Sequence, residues 1–219
     1  MVNNYIIIGN SSFSFMIYKY MKESIGTNIL AFVADSKYIK EKEFASIPII
    51  DFTTLFQNYD NKIKLIMGIG YSQMANIREE KFKLCKENGF SFANYIHPSA
   101  NIHSTVKLGE GNVIFENVDI QADAEIGNGN LFLAGAFFGH DSKAGDYNTF
   151  CVKSVVTGFV EIRNHCFIGT LATMNNRIII DDYSFLGATV YASHGTQKNT
   201  IVVPNKCKYM PVEDGGYLI

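Results

Sequence analysis

Apolar residues recur every six positions from Tyr95 to Thr196 without a slip. These 102 residues divide into 17 hexads (102/6). The second position of each is apolar, running from Ile96, Ile102, Leu108 and Ile114 through Phe132, Phe138 and Phe150 to Ile180, Leu186 and Ala192. The third position is repeatedly Gly, at Gly109, Gly127, Gly139, Gly145, Gly169 and Gly187. Neither a helical period of about 3.6 nor a strand period of about 2 gives a strict six. A short fixed period predicts a solenoid whose coils bury one continuous core.

Residues 1–94 follow a different rhythm. Tyr5–Ile8 reads as a buried strand, Gly9-Asn10-Ser11-Ser12 as a turn, and Phe13–Lys22 as a helix. Asn28–Val33, Ile47–Ile50 and Lys64–Ile69 read as further strands, and Gln73–Asn88 as a helix rich in Lys and Glu. Strands alternating with helices predict a small parallel α/β sheet. Ligands of such sheets sit at the carboxyl ends of the strands, near helix N-termini. Asn94–Ala100, with Pro98, is the seam between the two patterns. From Gln197 the hexads stop, and Pro204, Pro211 and Gly215-Gly216 suggest a cap or tail. The expected division is therefore 1–94, 95–196 and 197–219.

Composition narrows the possible partners. Hydrophobic residues make up 47% and charged residues 18% of the 219, enough for packed cores. A net charge of -2 without a basic block argues against nucleic acid. No apolar run approaches a membrane span, and Met-Val-Asn-Asn lacks the cationic start of a secretion signal. The expectation is a cytoplasmic protein with no membrane partner. The four cysteines have no C-x-x-C spacing and read as idle thiols of a reducing compartment.

The hexads resemble the left-handed parallel β-helix of the hexapeptide-repeat acyltransferases. The whole chain is similar to bacterial sugar acyltransferases of the sialic-acid O-acetyltransferase type, which include N-acetyltransferases of nucleotide-linked amino sugars. The resemblance implies a Rossmann-like α/β domain for acceptor binding, then a β-helix that transfers acetyl groups from acetyl-CoA. It also implies a homotrimer, with the coenzyme between neighbouring β-helices, and no metal. A nucleotide-linked amino sugar bound for a surface glycan, such as a lipopolysaccharide O-antigen, is the implied acceptor.

The resemblance also places the chemistry. Three hexads make a coil, so residues 18 apart stack, and Gly158 lies one coil above His140. His140-Asp141 matches the family's catalytic histidine and acidic residue. A histidine suits proton removal near neutrality, and a carboxylate can orient its ring. Gly158 leaves room for a thioester, and its N–H is placed to meet an oxyanion. Matched coenzyme positions are Thr149, Gly158, Thr170 and Ile179. Thr149 departs from relatives that carry a second His there. Matched acceptor positions are Gly9, Ser11, Ser12, Asp35, Gly68 and Gly70, although the turn lacks the usual second Gly and His. Arg78 reads as a phosphate partner or a surface charge. Zinc hydratases share the β-helix but need three convergent histidines. None of His97, His103, His165 and His194 falls in a column adjacent to His140. The alternatives are O-acetylation, transfer of a longer acyl group, and a non-catalytic trimeric scaffold.

Overall fold

The computed structural model describes residues 3–23 and 26–205. Its first part is a five-stranded sheet in the order β3-β4-β2-β1-β5. Its strands are β1 (Asn3–Ile8), β2 (Thr27–Ala34), β3 (Glu43–Phe44), β4 (Ile47–Asp51) and β5 (Lys64–Met67). All pairings are parallel except β3 with β4. The run Ile6-Ile7-Ile8 is wholly buried, as expected of a strand covered on both faces. Three helices follow strands: α1 (Ser12–Lys22), α2 (Phe52–Asn58) and α3 (Asn76–Glu87). Asp51 caps α2 by accepting the Thr54 N–H at 2.8 Å.

The expected helix from Gln73 begins later, at Asn76. Gln73, Met74 and Ala75 have φ of 53°, 50° and 64°, so the chain makes a left-handed turn there before α3. Strand β3 and helix α2 were not foreseen: Phe44 and Phe52 sit in segments too short for a periodic signal.

From Tyr95 the chain winds through three parallel sheets of two-residue strands. The first face carries Tyr95–Ile96, Val113–Ile114, Leu131–Phe132 and onward. The second starts at Asn101–Ile102 and the third at Lys107–Leu108. Up to Tyr191–Ala192 the paired strands are 18 residues apart, as Tyr95 is from Val113 and Asn101 from Asp119. These sheets fit a left-handed β-helix. Second-position side chains fill its interior, where Phe132 and Phe150 stack with ring centroids 4.3 Å apart and Phe138 meets both edge-on. Each such buried side chain stabilises by roughly 1.5–3 kcal/mol. The ladder also runs past Thr196, since Ile201–Val202 pairs with Phe185–Leu186. The remainder of the expected tail, 206–219 with Pro211 and Gly215-Gly216, lies outside the described residues.

Two positions of the hexad shape the corners. At the third, a Cβ on Gly139 would lie 2.5 Å from the Thr157 carbonyl carbon of the next coil, so the coils approach too closely for a side chain. At the fifth, every residue from Gly111 to Thr189 has φ > 0, although most are not glycine. Coil-to-coil hydrogen bonds hold these residues there, as Asp141 N–H donates to the Ala122 carbonyl at 3.1 Å. Buried Asn112, Asn130 and Asn148 run up one corner, each side-chain oxygen accepting the N–H 18 residues on, the last from Cys166 at 2.7 Å.

The two parts share one core. Val113, Phe115, Leu131 and Tyr147 of the β-helix belong to the same buried cluster as the α/β sheet. The α/β part sits on the first face and on both corners beside it, where Arg78 reaches the Tyr147 carbonyl on one side and the Tyr20 hydroxyl donates to Glu116 on the other.

Candidate active site

His140 lies in the corner that joins the second face to the third. The left-handed turn at Asp141 (φ 56°) brings its carboxylate back to the preceding ring, and Oδ2 lies 2.8 Å from His140 Nδ1. A carboxylate accepts only, so Nδ1 carries the hydrogen, and in the neutral ring the lone pair is on Nε2. A Cβ on Gly158 would lie 2.7 Å from that Nε2. The glycine therefore keeps open the space that the basic nitrogen faces. Its N–H donates to no carbonyl or side chain among the described residues. His140 and Asp141 remain about half exposed. A groove of about 340 Å³ runs below His140, lined by Asn101, His103, Asp119 and Gln121. Phe159, one coil above, meets the imidazole edge-on at 5.1 Å.

The second cluster is at the carboxyl ends of the α/β strands. Gly9, Ser11, Asp35, Gly68 and Gly70 line one cavity of about 180 Å³. Ser12 does not join them, because it is already the first residue of α1 and points into solvent. A Cβ on Gly9 or Gly68 would strike neighbouring protein atoms within 2.8 Å, so both serve close packing. A Cβ on Gly70 would meet nothing within 4 Å, which leaves that wall open to a ligand. The cavity adds residues that sequence reading missed: Tyr38, Phe52, Ser72, Ile77 and Lys81. Lys81 is 8% exposed and its Nζ lies 2.8 Å from Asp35 Oδ1. Burial opposes its charge, but the bonds to Asp35 and Glu80 hold the ammonium above its ordinary value. A lysine amid the charge-rich pattern of α3 carried no signal of this.

The coenzyme positions do not form a single cluster in one chain. Gly158 and Ile179 lie in neighbouring coils at the edge of the third face, whereas Thr170 is on the corner between the first and second faces. Thr149 is corrected outright. It is 2% exposed beneath the α/β part, and its hydroxyl accepts from Arg78 Nη2 at 3.2 Å, so no ligand in a surface groove reaches it. Arg78 is likewise neither a surface charge nor within reach of the cavity. It is 1% exposed and donates to the carbonyls of Gly70, Tyr147 and Asn148 at 3.2, 2.8 and 3.0 Å. Burial pulls its guanidinium down to about 9, which still leaves it charged at neutral pH.

A groove of about 560 Å³ runs along the third face. Glu125 pairs there with both Lys107 and Lys143, at 3.3 and 3.6 Å, and Arg163 pairs with Asp181 at 3.0 Å. It holds no proton-transfer pair comparable to His140 and Asp141. Among the described residues there is no group of three or more His, Cys, Asp or Glu able to hold a metal ion. None of their helices is long and apolar enough to cross a membrane.

Fold and corner together define a β-helical protein with an α/β part at its N-terminus, and solved structures share this architecture. PerB from Caulobacter crescentus, in complex with CoA and GDP-perosamine, is 23% identical; the match covers 93% of this chain and 95% of that one, with a TM-score of 0.82. The acetyltransferase domain of PglB from Neisseria gonorrhoeae is 19% identical over 95% of this chain and all of its own (100%), with a TM-score of 0.82. WeeI from Acinetobacter baumannii is 18% identical over 93% and 97%, with a TM-score of 0.81. At these identities the likeness is one of fold. No family model and no curated protein matches the sequence.

Proposed function

We propose that the chain is an acetyl-CoA-dependent acetyltransferase that acetylates the amine of a nucleotide-linked amino sugar used in a surface glycan. The observation that carries this reading is the His140–Asp141 pair, whose basic Nε2 faces the gap left by Gly158. The cavity at Gly9, Asp35 and Gly70 supports an acceptor site. The likeness in fold to a protein solved with CoA and GDP-perosamine supports the choice of both substrates.

In the proposed reaction the sugar amine attacks the thioester carbonyl. The new N–C bond forms, and His140 Nε2 takes the proton released by the amine. Asp141 accepts from Nδ1 and stabilises the imidazolium that results. The Gly158 N–H donates to the developing oxyanion. The C–S bond then breaks, and the proton passes from His140 to the departing coenzyme A thiolate. Gly158 and Ile179 would border the coenzyme from this chain, and Thr170 from a neighbour.

Within this reading the part before Tyr95 is a Rossmann-like acceptor domain, and the left-handed β-helix runs from Tyr95 as far as Val202. The acceptor cavity and His140 belong to different corners of one chain. This supports a homotrimer in which one copy's cavity serves its neighbour's His140. A cytoplasmic location fits substrates of this kind.

The test is release of the coenzyme A thiol when purified protein meets acetyl-CoA and GDP-, UDP- or dTDP-linked sugars bearing 3- or 4-amino groups. Turnover with one nucleotide family, lost in His140→Ala, supports the proposal. No turnover with any of them, together with no binding of acetyl-CoA, would leave a scaffold. A hydroxyl acceptor is the second reading, favoured by the turn Gly9-Asn10-Ser11-Ser12, which lacks the second Gly and the His expected of the nucleotide-sugar enzymes. Turnover with the corresponding hydroxy sugars alone would establish it.

A further inference from the structure

The coil beneath His140 carries polar groups that the transfer step does not use. Ala122 stands one coil below His140, and its carbonyl accepts the Asp141 N–H at 3.1 Å. Its methyl is short, so the space under the imidazole stays open, as Gly158 keeps it open above. That space is the groove of about 340 Å³ lined by Asn101, His103, Asp119 and Gln121. A pocket for a whole small ligand is roughly 300–1,000 Å³, so the groove suits one sugar ring and not an entire sugar nucleotide.

The polar atoms of the groove are set in advance. Asp119 Oδ2 accepts from Asn101 Nδ2 at 3.3 Å, and Oδ1 has no partner among the described residues. No Lys or Arg among them lines the groove, so the carboxylate meets no cation there. The His140 backbone N–H donates to Gln121 Oε1 at 3.3 Å. That takes the amide oxygen and leaves the NH2 to donate elsewhere. The Thr105 N–H in turn donates to His103 Nδ1 at 3.3 Å. Since Nδ1 accepts, the ring hydrogen is on Nε2, which has no partner among the described residues. One acceptor and two donors thus line a groove whose roof is His140.

A hydroxylated ring needs this mixture, because each hydroxyl both donates and accepts. A carboxylated ring does not suit it, because Asp119 has no cation beside it to offset a second negative charge. We propose that the groove is the glycosyl subsite of the acceptor and selects a neutral, hydroxyl-bearing sugar ring over a sugar acid. Asp119 Oδ1 accepts from a ring hydroxyl, and Gln121 and His103 donate to hydroxyl oxygens. The ring is thereby held under His140 with its nucleophile at the edge of the imidazole, while the thioester enters from the Gly158 side. Asp119 sets acceptor specificity from the same chain as the base, whichever copy holds the nucleotide. This inference rests on the acetyltransferase reading above.

The test uses the full chain and the nucleotide sugar that it acetylates fastest. Asp119→Asn keeps the shape of the side chain and loses its charge. It should raise the acceptor KM by about tenfold or more, on the scale of a hydrogen bond to a charged group, with the acetyl-CoA KM unchanged. His103→Phe keeps a ring, loses the donor, and should raise the same KM several-fold. Competition by the plain hexose on the same nucleotide, and by its uronic acid, reads the selectivity directly. The wild type should favour the hexose by about tenfold, and Asp119→Asn should narrow that gap. The bare nucleoside diphosphate should bind the wild type and both variants alike in calorimetry. If one variant does not fold, the other and the wild-type competition still decide. An acceptor KM that ignores both substitutions, or a uronic acid that competes as well as the hexose, would overturn the inference and leave the acetyltransferase reading standing. So would a bare diphosphate weakened as much as the sugar nucleotide. A wild type that acetylates no nucleotide sugar would sink both.

Discussion

A single nitrogen, His140 Nε2, decides whether the corner can do chemistry. Asp141 fixes its lone pair and Gly158 clears its approach. His140→Ala should therefore lower turnover a hundredfold or more, on the scale of general-base catalysis, with the melting temperature unchanged. In the proposed reaction Gly158→Ala should lower it by about tenfold or more through crowding alone, because the new methyl would stand 2.7 Å from His140 Nε2. Steady-state rates beside melting curves check both. The cysteines behave in the opposite way. Burial pushes Cys85 and Cys166 up to about 12 and Cys151 up to about 11, so none offers a thiolate near neutrality. A disulfide reagent should leave these three untouched in the native protein and titrate them only after unfolding; Cys207 lies outside the described residues. His140, Asp141 and Gly158 were legible as a motif with a known spacing. Arg78 was not, because burial across two parts of the chain leaves no mark on local sequence.

The coil is built on two kinds of corner residue, and they should fail differently. Gly139→Ala drives a Cβ against the next coil's backbone and should destabilise by about 3 kcal/mol or more. Gly135→Ala meets only the Lys153 side chain, at 3.3 Å, so its cost is the left-handed conformation, about 1–2 kcal/mol. Chemical denaturation of the two variants would separate them. Asp182 adds a pH term at the corner: its carboxylate accepts the Asn164 N–H, which holds it below the ordinary carboxylate range. Its contribution is present at neutral pH and drains away as pH falls through the acid range. In Asp182→Asn that part of the acid sensitivity should be absent, a difference visible in melting temperature measured against pH. The six-residue period made the β-helix readable because each rung repeats the same inward side chain. Its left-handed fifth positions were hidden, since Tyr147, His165 and Leu171 look nothing like turn residues. Coil-to-coil hydrogen bonds supply what the residue type does not.

Between the two parts of the molecule the buried Arg78 is a polar tie: it donates to the carbonyls of Tyr147 and Asn148 and to Thr149 of the coil, and to the Gly70 carbonyl in its own part. Arg78→Ala strips those acceptors of their donor and should cost about 3 kcal/mol. It should also split a single calorimetric transition into two, as the α/β part melts away from the coil. The division near Tyr95 was legible from the change of rhythm. The docking of one part on the other was not, because it depends on a turn at Gln73–Ala75 that reads as helix. The strict 18-residue register has one more consequence, for how such a chain can change in length. Removing a single hexad would leave every remaining strand an inward apolar residue and a corner of the right shape. All coils above the cut would nevertheless turn by a third of a revolution, carrying whatever they display to a different edge of the prism. A cut between His140 and Gly158 would thus preserve the rod and separate base from gap, and no whole coil can be lost there, because the two residues are themselves only one 18-residue coil apart.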